Sequence, residues 1–106
     1  MTAQDEHAFL TAVLAAPDDD TPRLVFADWL DERAQGDDTA RAALIRAQCR
    51  MEHLGPGTKE CRELAARAKG VLKEHEPQWT KVLRESGLVR RWTFRRGFLD
   101  GVEMSA

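Results

Sequence analysis

The chain has 106 residues, 42% of them apolar and 32% charged, a balance that suits one soluble domain with a single core and many exposed helix faces. No apolar run is long enough to span a bilayer, and the polar, acidic start from Met1 to His7 does not look like a secretory leader. The net charge of −2 hides a partition: residues 1–38 hold ten acids and two bases, whereas residues 39–106 hold fourteen bases and eight acids. This points to docking of the two parts within the fold, or to head-to-tail association, rather than to a general polyanion binder. Two cysteines make no disulfide framework, so reduced thiols and a cytoplasmic location are expected.

The pattern predicts helices first and a hairpin last. A first helix runs from about Gln4 to Ala16 with Phe9, Leu10, Val13 and Leu14 as its apolar face, and Pro17 with Asp18-Asp19-Asp20 ends it. A second is expected to start with Thr21 as N-cap and Pro22 at the first helical position. It continues through Leu24, Val25, Phe26, Trp29 and Leu30 towards a stop at Gly36, and is apolar enough to be the central helix. The third begins near Asp38 or Thr39 with Ala40, Ala43, Leu44, Ala47, Met51 and Leu54 on one stripe, and Gly55-Pro56-Gly57 breaks it. Thr58 caps a fourth, with Cys61, Leu64, Ala65, Ala68, Val71 and Leu72 along one side, antiparallel to the third. Pro77 is expected to open a short fifth helix carrying Trp79, Val82 and Leu83 and closed by Gly87.

From Leu88 the period changes from 3.6 to 2. Trp92 and Phe94 then share one face, Arg91, Thr93 and Arg95 the other, with Gly97 at a turn or bulge and Val102 and Met104 on the return strand. The fold class expected is mainly α (α+β): a single domain over residues 1–106, with four to five helices over 4–86 closed by a C-terminal β-hairpin at about 89–105.

The alternation of rings and arginines admits two readings. A nucleic-acid strip needs stacking rings and the arginines Arg90, Arg91, Arg95 and Arg96 on one accessible surface, whereas a strand separates them and leaves the guanidinium groups in water. The second is preferred, since a pI near 5.9 lacks the basic footprint of a nucleic-acid binder. Further along, Leu99-Asp100-Gly101-Val102-Glu103-Met104 fits L-x-x-L-x-L, the strand core of a leucine-rich repeat, and a strand so near the end of the chain invites continuation at its open edge.

Asp28 lies inside the apolar segment Val25 to Leu30 and needs a partner if buried. It reads as a general base or as half of a structural ion pair with Arg46 or a hairpin arginine. The ion pair is preferred, because no second carboxylate, histidine or nucleophile is evidently placed beside it. Cys49 and His53 share one helix face, with Cys61 across the turn and His75 at the end of the next helix; their spacing matches no standard zinc motif, so no metal or other cofactor is expected.

The stretch Asp19-Asp20-Thr21-Pro22-Arg23-Leu24-Val25-Phe26-Ala27-Asp28-Trp29-Leu30-Asp31-Glu32-Arg33 resembles the hallmark of the bacterial repeat-companion domain. Trp92-Thr93-Phe94-Arg95-Arg96-Gly97-Phe98 is similar to the W-x-F-R-R-G-F signature that closes that domain. Between them, Ala43-Leu44-Ile45-Arg46-Ala47-Gln48 is similar to the family's G-E-F-I-R-L-Q stretch, without its Gly-Glu start and its second large apolar residue. The resemblance covers nearly the whole chain. It implies a non-catalytic domain that often precedes leucine-rich repeats, and no catalytic residue is carried over. The function expected is therefore a protein-interaction, capping or adaptor module with no enzymatic activity. Trp92, Phe94, Phe98 and Val102 form the candidate interface, and the expected partner is a set of leucine-rich repeats in the same chain or a separate protein. Self-association through the C-terminal strand edge is a further expectation, with no membrane partner.

Overall fold

The structure, a computed structural model, describes residues 3–87 and 89–104. Five helices are followed by one antiparallel hairpin: α1 (Ala3–Ala15), α2 (Asp20–Arg33), α3 (Asp38–Met51), α4 (Lys59–Trp79), α5 (Lys81–Ser86), β1 (Val89–Arg95) and β2 (Phe98–Met104). The helical bundle closed by a hairpin is thus the fold. Residue 105, included in the expected hairpin, lies outside the described residues, as do the side chains of Val82, Val89, Arg90, Val102 and Met104.

Helix ends follow the local chemistry, with two corrections. The cap of α2 is Asp19, not Thr21: its backbone is extended and its carboxylate accepts from the Thr21 amide at 2.9 Å. Aspartate caps better than threonine, and moving the start forward leaves Pro22 in the first turn, where a missing N–H still costs nothing. The helix also stops before Gly36, at Ala34, which takes a left-handed conformation (φ 49°) and returns its N–H to the Leu30 carbonyl at 2.8 Å. Thr58 caps α4 as expected, accepting from the Cys61 amide at 3.2 Å.

Pro77 does not open a helix; it sits inside the last turn of α4. Only the one bond its missing N–H would have made is lost there. The turn is held instead by Thr80, fully buried, whose N–H and hydroxyl both donate to the Glu76 carbonyl, at 2.9 and 2.7 Å. Thr80 then leads into α5, which ends at the left-handed Gly87.

The central helix is α3 rather than α2. It carries two apolar stripes on opposite sides, Ala42, Ile45 and Cys49 on one and Leu44 and Ala47 on the other, all buried. The first stripe joins Phe26, Ala27, Trp29 and Leu30 of α2 in the core, and Phe9, Leu10 and Phe98 close over it. The second lies towards α4, against which α3 also packs. By contrast Leu24 and Val25 of α2 are 38% and 45% exposed and Leu14 of α1 is 77% exposed, so these three expected core positions face outward. The reason is that α2 buries one flank only, through Phe26, Ala27, Trp29 and Leu30, while α1 covers a limited part of it. Burying one of those aromatic or leucine side chains contributes roughly 1.5–3 kcal/mol.

Candidate functional site

The hairpin turn meets the bundle at one junction, which draws on all three stretches that carry the family resemblance. Arg96 and Gly97 form a two-residue turn between the paired Arg95 and Phe98, both with positive φ (52° and 83°), as the favoured hairpin turns require. The Gly97 backbone lies against α3. A Cβ there would stand 2.2 Å from Ile45 Cγ1 and 2.6 Å from Ile45 Cα, so only glycine lets the two elements touch. Gln48 of α3 pins the turn from both sides: its carbonyl oxygen accepts from the Gly97 amide at 2.7 Å, and its amide nitrogen donates to the Phe94 carbonyl at 3.4 Å.

Behind the turn, Phe98 packs on Phe26 with ring centroids 5.8 Å apart, and the guanidinium groups of Arg23 and Arg41 lie 4.9 and 5.4 Å from the Phe98 ring. Arg23 is buried. It donates to the Pro17 carbonyl at 2.9 Å and to the Arg96 carbonyl at 3.4 Å, tying the α1–α2 turn to the hairpin. Burial lowers the Arg23 pKa from the ordinary guanidinium value.

Arg96 departs from the expectation that the hairpin arginines face water: it is 9% exposed. Its left-handed turn position swings the side chain back over the bundle. There it donates to the Pro17 carbonyl at 3.3 Å and lies 3.5 Å from the Asp20 carboxylate and 3.9 Å from that of Glu52. Arg95 does face outward, yet it is engaged as well, by Glu52 at 2.7 Å and Asp18 at 4.0 Å. Arg91 and Thr93 are exposed as the strand period requires, and the Arg90 side chain is outside the described residues.

Of the candidate interface, Trp92, Phe94 and Phe98 are half-buried and turned towards the protein's own helices. The Trp92 indole donates to Glu76 of α4 at 2.8 Å, and Phe94 packs near Trp79 with centroids 6.2 Å apart. The rings therefore fasten the hairpin, and the Val102 side chain lies outside the described residues. The strands pair through Trp92 with Val102 and Phe94 with Leu99, and an irregularity between Thr93 and Phe94 breaks the strict register.

The predicted Asp28–Arg46 pair forms, at 2.8 Å, but on the surface: the Asp28 side chain is 72% exposed and Arg46 is shared with Asp31. Asp28 escapes burial because its position on α2 falls on the outward flank with Leu24 and Val25. Asp20 bridges two other candidates. It pairs with His53 and neighbours the buried Cys49, whose thiol pKa is pushed up to about 11, first by burial and then by that carboxylate. A thiol held protonated in this way is a poor nucleophile and a poor metal ligand. Cys61 lies on a different helix, half-buried, and His75 stacks on Trp79. Among the described residues no three His, Cys, Asp or Glu side chains are grouped to hold a metal ion.

Sequence reasoning missed a second buried cluster beneath α1. Arg33 grips Asp38 with two hydrogen bonds, at 2.7 and 2.8 Å, and Glu6 at 3.0 Å, with its guanidinium 4.2 Å above Trp29. The Gln35 amide also donates to Asp38 at 3.0 Å. Bonding to Arg33 lowers the Asp38 pKa from the ordinary aspartate value, and its two carboxylate partners raise that of Arg33. Arg41 lies beside this clamp with its guanidinium 5.4 Å from the Trp79 ring, and burial lowers its pKa. The clue available in the sequence was an arginine closing α2 five residues before an acidic start to α3.

The chain matches no protein-family model, no curated protein and no solved structure. No helix among the described residues is long and apolar enough to cross a membrane.

Proposed function

We propose that this chain is a non-catalytic interaction module of the repeat-companion kind, working in the cytoplasm and presenting its hairpin to leucine-rich repeats as a cap or adaptor. One observation carries the reading. The hairpin is fixed to the bundle through Gly97, Gln48 and Phe98, while β2 pairs with β1 alone and offers its other edge without a strand partner among the described residues. A rigidly held open edge is a template for a further strand, and a repeat array needs such an edge covered at its end. Leu99, 40% exposed, stands at the head of the repeat-like stretch on that strand.

Nucleic-acid binding is the weaker reading, because Arg95 and Arg96 are already engaged by Asp18, Asp20 and Glu52. The test is a fusion in which consensus leucine-rich repeats lacking their own N-terminal cap follow Met104. The expected result is one unfolding transition, with a midpoint above that of either part alone. Two transitions at the midpoints of the separate parts would remove the capping role.

A further inference from the structure

The helices pack in sequence, α1 on α2, α2 on α3 and α3 on α4. The α1–α2 corner and the α4–α5 region each carry a feature that the function proposed above leaves unused. On the α1 side, Leu14 is the most exposed large apolar residue described, at 77%. It is followed by exposed Pro17, Asp18 and Asp19, with the Asp18 side chain 89% exposed. Elsewhere a groove of about 360 Å³ runs between α4, α5 and β1, with Leu72, Pro77 and Trp92 as its apolar walls. Lys73 and Arg84, both exposed, stand at its rim. Arg84 donates to the Pro77 carbonyl, but neither cation has an ion-pair partner among the described residues. The one carboxylate in the groove, Glu76, accepts from the Trp92 indole.

We infer that this groove receives the α1–α2 corner of a second copy of the chain, Leu14 entering against Leu72 and Trp92 while Asp18 and Asp19 meet Lys73 and Arg84. The two surfaces are complementary in apolarity and in charge: an isolated apolar side chain faces an apolar slot, and exposed carboxylates, Asp18 only distantly paired with Arg95 at 4.0 Å and Asp19 capping α2, face two cations without an ion-pair partner among the described residues. The charge partition of the chain, acidic over residues 1–38 and basic beyond, has the same direction. Because the two surfaces differ, the contact is heterologous, corner into groove, rather than one patch pairing with itself. With one apolar side chain at its centre it is a weak, concentration-dependent and salt-sensitive contact. The inference does not rest on repeat capping, since it uses neither edge of the hairpin.

The test is sedimentation velocity of the full chain over a concentration series, with circular dichroism to verify that each variant folds. The wild type is expected to form dimers and longer species as concentration rises, and to lose them at 1 M salt. Leu14→Glu and the double variant Lys73→Glu/Arg84→Glu are each expected to stay monomeric. Mixed together, those two variants are expected to form dimers and nothing longer, because each retains the surface the other lacks. A wild type that remains monomeric at every concentration overturns the inference. So does association that both variants retain, which would assign self-association to the β2 edge, and so does a mixture that stays monomeric.

Discussion

At the scale of single residues, position decides between chemically similar groups. Gly97 illustrates this most sharply, since its missing side chain is what brings the hairpin onto Ile45. Gly97→Ala adds one methyl group that collides with the α3 backbone and places a Cβ at positive φ. Overpacking of that kind costs about 1–3 kcal/mol, and the left-handed conformation adds roughly 1–2. The expected loss is thus about 2–5 kcal/mol in urea unfolding, and a variant as stable as wild type would show that the turn does not sit on α3. Two aspartates give a second contrast. Asp28 is mostly exposed, so Asp28→Ala is expected to change stability by about 0.5 kcal/mol or less, although it removes the ion pair to Arg46. Asp38 is buried and gripped twice by Arg33, so Asp38→Ala is expected to cost about 2–3 kcal/mol at neutral pH. The sign of the pH dependence follows from the lowered Asp38 pKa. In the unfolded chain an aspartate titrates at roughly 4, so its contribution is complete above that pH and is lost as pH falls through the lower folded value. Denaturant titrations of wild type and Asp38→Ala are expected to differ at pH 7 and to converge in strong acid.

At the scale of elements, the periodic signals were legible and the corners were not. The five helices and the hairpin follow from apolar spacing, from Thr58 and Gly87 as terminators and from the change of period after Gly87. The alternation that turns Trp92 and Phe94 inward and leaves Arg91, Thr93 and Arg95 outside is a property of any strand with one covered face. What periodicity cannot rank is which helix lies in the middle. Two narrow apolar stripes on opposite sides of α3 make it central where the broad apolar run of α2 does not, because a helix is central when both of its sides find partners. Pro77 departs from its expected place for a related reason: proline favours a first turn, but the neighbouring Thr80 supplies two donors that keep the last turn of α4 intact. The junction itself was half legible. Gly97 and the arginines stand out in the sequence, whereas Gln48 and Arg23 gain their roles only when segments some fifty and seventy residues apart come together, at Gly97 and Arg96.

At the scale of the whole molecule, the partition of charge becomes a set of closures. Basic side chains from the second part reach back to the acidic first third: Arg46 to Asp28 and Asp31, Arg95 to Asp18, and Arg96 and His53 to Asp20. These pairs engage within the fold the positive charge that a polyanionic partner would need. A polyphosphate ligand would have to displace Glu52 and Asp18 from Arg95, and Asp20 from Arg96, and the Arg96 side chain is only 11% exposed. Counterion release, which gives nucleic-acid affinity its steep salt dependence, requires guanidinium groups free to reach several phosphates at once. Titration with single-stranded or duplex DNA at low salt is therefore expected to show no submillimolar binding. A tighter affinity that falls steeply with added salt would mean that these internal pairs open on contact, and that the hairpin turn, rather than the β2 edge, is the working surface.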